Sequence, residues 1–150
     1  MSISLREVTE DNKEEVLQIR VKETQSGYIE TVEACLEEAK RCKMYKPVGL
    51  YVDESVVGFA MYGFFPEEGD NGRVWMDRLL IDASFQGQGL GSLALVALLE
   101  KLRREFNCEE VYLSVYEDNV VAIRMYEKAG FFFNGERDEN GEKVMVKKFI

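Results

Sequence analysis

Gln86-Gly87-Gln88-Gly89-Leu90-Gly91-Ser92 stands between a strand-like run, residues 74–81, and a long helix-like stretch, Leu90–Phe106, and few folds accept that order. Gly87, Gly89 and Gly91 let the backbone approach a ligand closely. The bare N–H groups at a helix start carry partial positive charge that suits phosphate oxygens. The competing reading is a plain tight turn that needs positive φ angles. The stretch by itself leaves both open.

Two other phosphate-binding patterns do not fit. No Gly-Lys-Ser or Gly-Lys-Thr is present for a Walker loop, and the spacing is G-x-G-x-G rather than G-x-G-x-x-G. Glu109 and Glu110 do follow, but ahead of the strand expected at residues 111–116, whereas a ribose-binding acid belongs at the far end of that strand.

The rest of the chain surrounds this turn with regular elements. Residues 3–8 read as a strand, Asp11 or Asn12 can cap a helix reaching about Lys22, and residues 31–42 read as a second helix. Residues 48–52 and 56–64 flank Asp53-Glu54-Ser55 as a hairpin, and the Asn71-Gly72 turn signal precedes the strand at 74–81. A strand at 111–116, a helix at 120–129 and strands at 131–136 and 143–148 complete the pattern. An antiparallel meander followed by a βαβ unit predicts an α/β (α+β) fold on a mixed sheet. With 150 residues, 46% of them hydrophobic, and no linker or repeat, the chain reads as one domain, 1–150.

Composition removes several chemistries. The chain has no histidine, so a Ser-His-Asp triad, a Cys-His pair and a His-ligated metal are all impossible. Acid–base work falls to carboxylates, tyrosine, water or the substrate. Cys35, Cys42 and Cys108 make neither a C-x-x-C pair nor a disulfide framework and read as thiols, the first two sharing a helix face. A formal charge of −9 argues against a nucleic-acid partner and suits a cationic one, although acids that merely keep a small protein soluble give the same total. No secretory signal or membrane-length apolar run is visible, so the expectation is a soluble, cytoplasmic protein without a membrane partner.

The glycine-rich turn resembles the Q/R-x-x-G-x-G/A coenzyme A loop of the GNAT N-acetyltransferase superfamily, with Leu79-Leu80-Ile81-Asp82 similar to the strand end before it. Asn119-x-x-Ala122-x-x-x-Tyr126-x-x-x-Gly130-Phe131 resembles the superfamily's next motif, at the expected distance and with a strand between. The resemblance covers nearly the whole chain. It implies a single-domain fold whose sheet splays between strands 4 and 5, acetyl-CoA as cosubstrate, and no metal. It also implies a pantetheine arm along Leu79, Leu80 and Ile81, and a pyrophosphate on the backbone of Gln86, Gly87, Gln88, Gly89, Leu90, Gly91 and Ser92. Asn119 would bind the arm or cap its helix, and a homodimer is an analogy the superfamily offers.

Tyr126 shares a helix face with Asn119 and Ala122. A phenol there is either a core aromatic or, as the resemblance implies, the acid that protonates the departing thiolate. Asp77, placed by strand alternation on the face opposite Arg78, is either the carboxylate that helps deprotonate the amine or half of an ion pair.

Tyr28-Ile29-Glu30, Cys35-Leu36-Glu37, residues 57–63 and Gly72-Arg73-Val74-Trp75 are similar to bacterial spermine/spermidine N-acetyltransferases, which implies a polyamine substrate. Glu30, Glu33 and Glu37 on the second helix, Asp77, and Glu117 after the fifth strand are then candidate contacts for ammonium groups. Tyr28, Tyr62 and Trp75 are candidate aromatic walls. The alternatives are another amine (a protein N-terminus, an amino acid, an aminoglycoside) or a non-catalytic acyl-CoA sensor.

Overall fold

The computed structural model describes residues 2–22 and 30–149, so Tyr28 lies outside the described residues. Seven strands, β1 (Ser4–Glu7), β2 (Tyr45–Val52), β3 (Ser55–Phe65), β4 (Arg73–Ile81), β5 (Glu110–Val115), β6 (Phe132–Arg137) and β7 (Lys143–Lys148), form one sheet in the order β1-β2-β3-β4-β5-β7-β6. The helices are α1 (Lys13–Leu17), α2 (Val32–Arg41), α3 (Leu90–Phe106) and α4 (Val120–Lys128). Every strand pair is antiparallel except β4 with β5, joined through α3. The mixed α/β fold expected from the sequence is the one observed.

The sheet is covered on both sides. Val16 of α1, Ile19 just beyond its end, and Val32, Cys35 and Leu36 of α2 pack on Phe59, Met61 and Leu80. On the other face Leu90, Leu95, Leu98 and Leu102 of α3 join Val48, Ala60, Tyr62, Val74, Met76 and Leu113. Burying an aliphatic side chain contributes roughly 1.5–3 kcal/mol, so these two apolar layers dominate the fold.

Pairing of β4 with β5 is confined to Trp75 opposite Tyr112. Beyond that point the strands part, which is the splay expected between strands 4 and 5.

One expectation about β4 is overturned. Met61 stands opposite Arg78 but Tyr62 stands opposite Met76, so Asp77 is the extra residue of a β-bulge. Met76 packs on the α3 side and Met61 on the α1/α2 side, and the bulge therefore sends Asp77 and Arg78 to the same face rather than opposite ones. Strict alternation fails because one residue is inserted.

Two helix ends also differ from expectation. α1 stops at Leu17, well before Lys22, because the chain is diverted to β4: the Arg20 N–H donates to Asp82 Oδ1 at 2.8 Å and the Arg20 carbonyl accepts from Ala83 N at 2.6 Å. Cys42 is the extended residue after α2, so it leaves the helix face that buries Cys35.

Candidate active site

The splay opens a cleft of about 950 Å³. Residues 79–81 of β4 form one wall and residues 114–116 the other, with the start of α3 at one end and α4 alongside. Leu79, Leu80, Ile81, Gln86, Gly87, Gly89, Leu90 and Gly91 all line it, as do Asn119 and Tyr126; Gln88 and Ser92 do not.

The cleft end of α3 has no side-chain cap. Its N-cap is Gly89, at φ +76°, and the first intrahelical bond there runs from Leu93 N to the Gly89 carbonyl at 3.3 Å. The N–H groups of residues 90–92 precede the helical ladder and point out of the helix start. α2 and α4 are capped instead: Thr31 Oγ1 accepts from Ala34 N at 3.1 Å, and Asn119 Oδ1 from Ala122 N at 3.5 Å. Gly87 and Gly89 both have positive φ, as the tight-turn reading requires, and a Cβ built on either would meet no atom within 4 Å. A turn of this geometry at a bare helix start is also an anion cradle, so the two readings of the glycines coincide.

Tyr126 comes into the cleft from α4, its ring edge-on to Phe131 at 5.8 Å. Burial pushes its phenol up to about 12, so it stays protonated through the neutral range. Asp77, brought round by the bulge, lies nearly buried with its Oδ2 unpartnered among the described residues. Burial raises its carboxyl to about 7; Arg78 opposes the rise, while Glu38, Glu68 and Glu142 add to it. Arg78 donates through Nη1 to the Asp77 carbonyl at 2.8 Å, and its Nη2 lies 3.1 Å from Glu30 Oε1 and 3.5 Å from Glu38 Oε1.

The remaining candidates divide. Trp75 lines the cleft, its indole N–H donating to Glu68 Oε1 at 2.8 Å, and Glu30 lines it too. Glu33 and Glu37 lie outside the lining: Val32, Cys35 and Leu36 face the core, which turns Thr31, Ala34 and Glu38 toward the cleft, one position on from the expected acids. Tyr62 is on the α3 side of the sheet, its hydroxyl donating to Glu105 Oε1 at 2.8 Å. Glu117 is outside the lining as well, engaged with Lys143 at 3.1 Å and Arg137 at 3.7 Å.

Sequence reasoning missed Glu38, Tyr45 and the β6–β7 turn, whose Asp138, Glu139 and Glu142 reach the cleft. The acidic run Asp138-Glu139-Asn140-Gly141-Glu142 was visible, but only the strand order places it opposite α2. Among the described residues no group of three or more metal-ligating side chains is assembled, and no helix is long and apolar enough to cross a membrane.

A splayed sheet, an uncapped helix start on the cleft, and a buried phenol and carboxyl within it define a class. Residues 7–131 match the sequence profile of the acetyltransferase (GNAT) family. The chain belongs to that family and is an acetyl-CoA-dependent N-acetyltransferase. It is 52% identical to the spermine/spermidine N(1)-acetyltransferase of Bacillus subtilis strain 168 over 99% of both chains. An aminoglycoside N(6')-acetyltransferase of Klebsiella pneumoniae is 37% identical over 57% of this chain and 42% of its own length. Among solved structures, the PaiA N-acetyltransferase of Thermoplasma acidophilum in complex with coenzyme A has a TM-score of 0.70 at 20% identity, covering 99% of this chain and 100% of that one. An aminoglycoside acetyltransferase with coenzyme A and kanamycin has a TM-score of 0.81 at 24% identity, covering 98% and 95%. At these identities the structural likeness is one of fold.

Proposed function

We propose that the protein transfers the acetyl group of acetyl-CoA to a primary amine of spermine or spermidine. The observation that carries this reading is the charge of the acceptor end. Acids from α2, the β3–β4 loop, β4 and the β6–β7 turn line it, and Arg78 is the single cation among the described lining residues. The full-length identity to the Bacillus subtilis enzyme supports the same substrate.

In the proposed reaction the amine nitrogen attacks the thioester carbonyl carbon, a C–N bond forms, the C–S bond breaks, and one proton is released overall. Asp77 accepts the first of the two protons that an ammonium nitrogen loses on becoming an amide N–H, and the second, lost after attack, restores the proton that Tyr126 gives up. An alkylammonium has a pKa near 10.4, and moving its proton to a carboxylate at about 7 costs about 5 kcal/mol, against roughly 9 for an ordinary carboxylate. Tyr126 supplies the proton that ends on sulfur. Burial that holds the phenol at about 12 also disfavours a bare thiolate in the same slot, which keeps that transfer within reach. The backbone N–H groups at the α3 start hold the pyrophosphate, so an acidic protein binds a polyanion with few basic side chains.

The test is an acceptor panel assayed by coenzyme A thiol release: spermine, spermidine, n-propylamine, kanamycin, amino acids and a peptide. Spermine or spermidine is expected to give the highest kcat/KM, with a KM that rises with salt more than that of n-propylamine. A higher kcat/KM for kanamycin, an amino acid or the peptide overturns the polyamine reading, and coenzyme A binding with no acceptor turned over overturns the enzymatic one.

A further inference from the structure

The acids of the acceptor end are not electrostatically equivalent. On the α2 side Glu30 and Glu38 are already answered by Arg78 at 3.1 and 3.5 Å. Across the cleft, Glu68, Asp138, Glu139 and Glu142 have no lysine or arginine in ion-pair contact among the described residues. The two cations flanking the turn, Arg137 and Lys143, are directed to Glu117, at 3.7 and 3.1 Å. Asp138 Oδ1 accepts the N–H groups of Asn140 and Glu142, both at 2.9 Å, which fixes the turn but leaves its charge in place. Burial and the Asp138 carboxylate push Glu142 up to about 7, Arg78 pulling the other way and Glu30 adding to the rise. An ammonium placed along α2 meets the Arg78 guanidinium and must displace it; one placed at the turn displaces nothing and relieves repulsion between crowded carboxylates.

We infer that a bound polyamine places its reacting nitrogen at Asp77 and runs away from α2 toward the β6–β7 turn, where Glu139 and Glu142 hold a distal ammonium and set the preference for polyamines. This rests on the polyamine reading above. Glu68, fixed by the Trp75 indole, lines the same cleft. Arg78 gives the site its direction, since its ion pairs answer Glu30 and Glu38, whereas it acts on Glu142 only from beyond ion-pair contact.

The experiment is the ratio of KM for spermidine to KM for n-propylamine at low salt, in the wild type, in Glu139→Gln/Glu142→Gln and in Glu30→Gln, with coenzyme A affinity measured alongside to establish that each variant is folded. The backbone carbonyl of Glu142, not its side chain, closes the turn to Asp138 N at 2.9 Å, so the amide replacement keeps the hairpin. The double variant is expected to raise the ratio about three- to fivefold, the loss of one solvent-exposed ion-pair contact. Glu30→Gln is expected to move both KM values by the same factor. A ratio raised by Glu30→Gln and not by the turn variant puts the chain along α2 and overturns the inference while the polyamine reading stands. A wild-type enzyme that does not prefer spermidine over n-propylamine overturns both.

Discussion

Tyr126 and Asp77 show how differently two residues of one site are encoded. Helical spacing puts Tyr126 on the face of Asn119 but leaves it a core aromatic or an acid, and only the resemblance of the contiguous motif around it implies the acid; the structure places it in the cleft and adds the burial that keeps its phenol protonated. Tyr126→Phe is expected to lower kcat by about 10²-fold with acetyl-CoA affinity retained, because only the proton donated to sulfur is lost. Single-turnover acetyl transfer together with calorimetric coenzyme A binding measures the two separately, and an unchanged kcat removes the tyrosine from the chemistry. Asp77 is conspicuous as a carboxylate in an apolar strand, but simple alternation gives it the wrong direction, since a bulge leaves no local signature in Met76-Asp77-Arg78-Leu79. The inserted residue is recognisable only from the register against β3, where Met61 and Tyr62 face Arg78 and Met76.

At the scale of elements, the strands and helices follow from patterns within about ten residues, and these were legible. What was not legible is rotation and approach: α2 is helical as expected, yet which acids it turns to the cleft depends on Val32, Cys35 and Leu36 docking on β3 and β4, a tertiary fact. The junction of β4 and α3 is the opposite case, because glycine spacing encodes it locally. Gly89 combines φ +76° with open space where a Cβ would stand. Gly89→Val is expected to strain the backbone by about 1–2 kcal/mol and to intrude on the phosphate cradle. Its KM for acetyl-CoA should therefore rise at least tenfold with the acceptor KM little changed. Initial-rate kinetics varying each substrate checks this, and an unaltered acetyl-CoA KM reduces the loop to a turn.

For the molecule as a whole, a carboxyl held near neutrality is a linkage between catalysis and stability. The Asp77 carboxyl moves from an ordinary 3.8 to about 7 on folding, so the folded state favours its protonated form. That contribution is fully present below the unfolded value and is lost as pH rises through 7; Glu142, also raised to about 7, acts in the same direction. Glu105, Glu117 and Glu136, lowered by their partners, act oppositely and lose their contribution only as pH falls through the acidic range. The unliganded protein should accordingly be more stable at pH 5.5 than at pH 8. Self-repulsion of a chain with net charge −9 reinforces the fall. Asp77→Asn removes the largest titrating contribution and should stabilise the protein at pH 8, by up to about 4 kcal/mol, while flattening its dependence between the two values. Urea unfolding of wild type and variant at both pH values measures this. Equal pH dependence in the two proteins would mean that Asp77 titrates as an ordinary carboxylate. A more stable but slower Asp77→Asn enzyme, with the activity loss greatest at the lower pH values, is the outcome expected if the fold gives up stability at neutral pH to keep a proton acceptor beside the thioester.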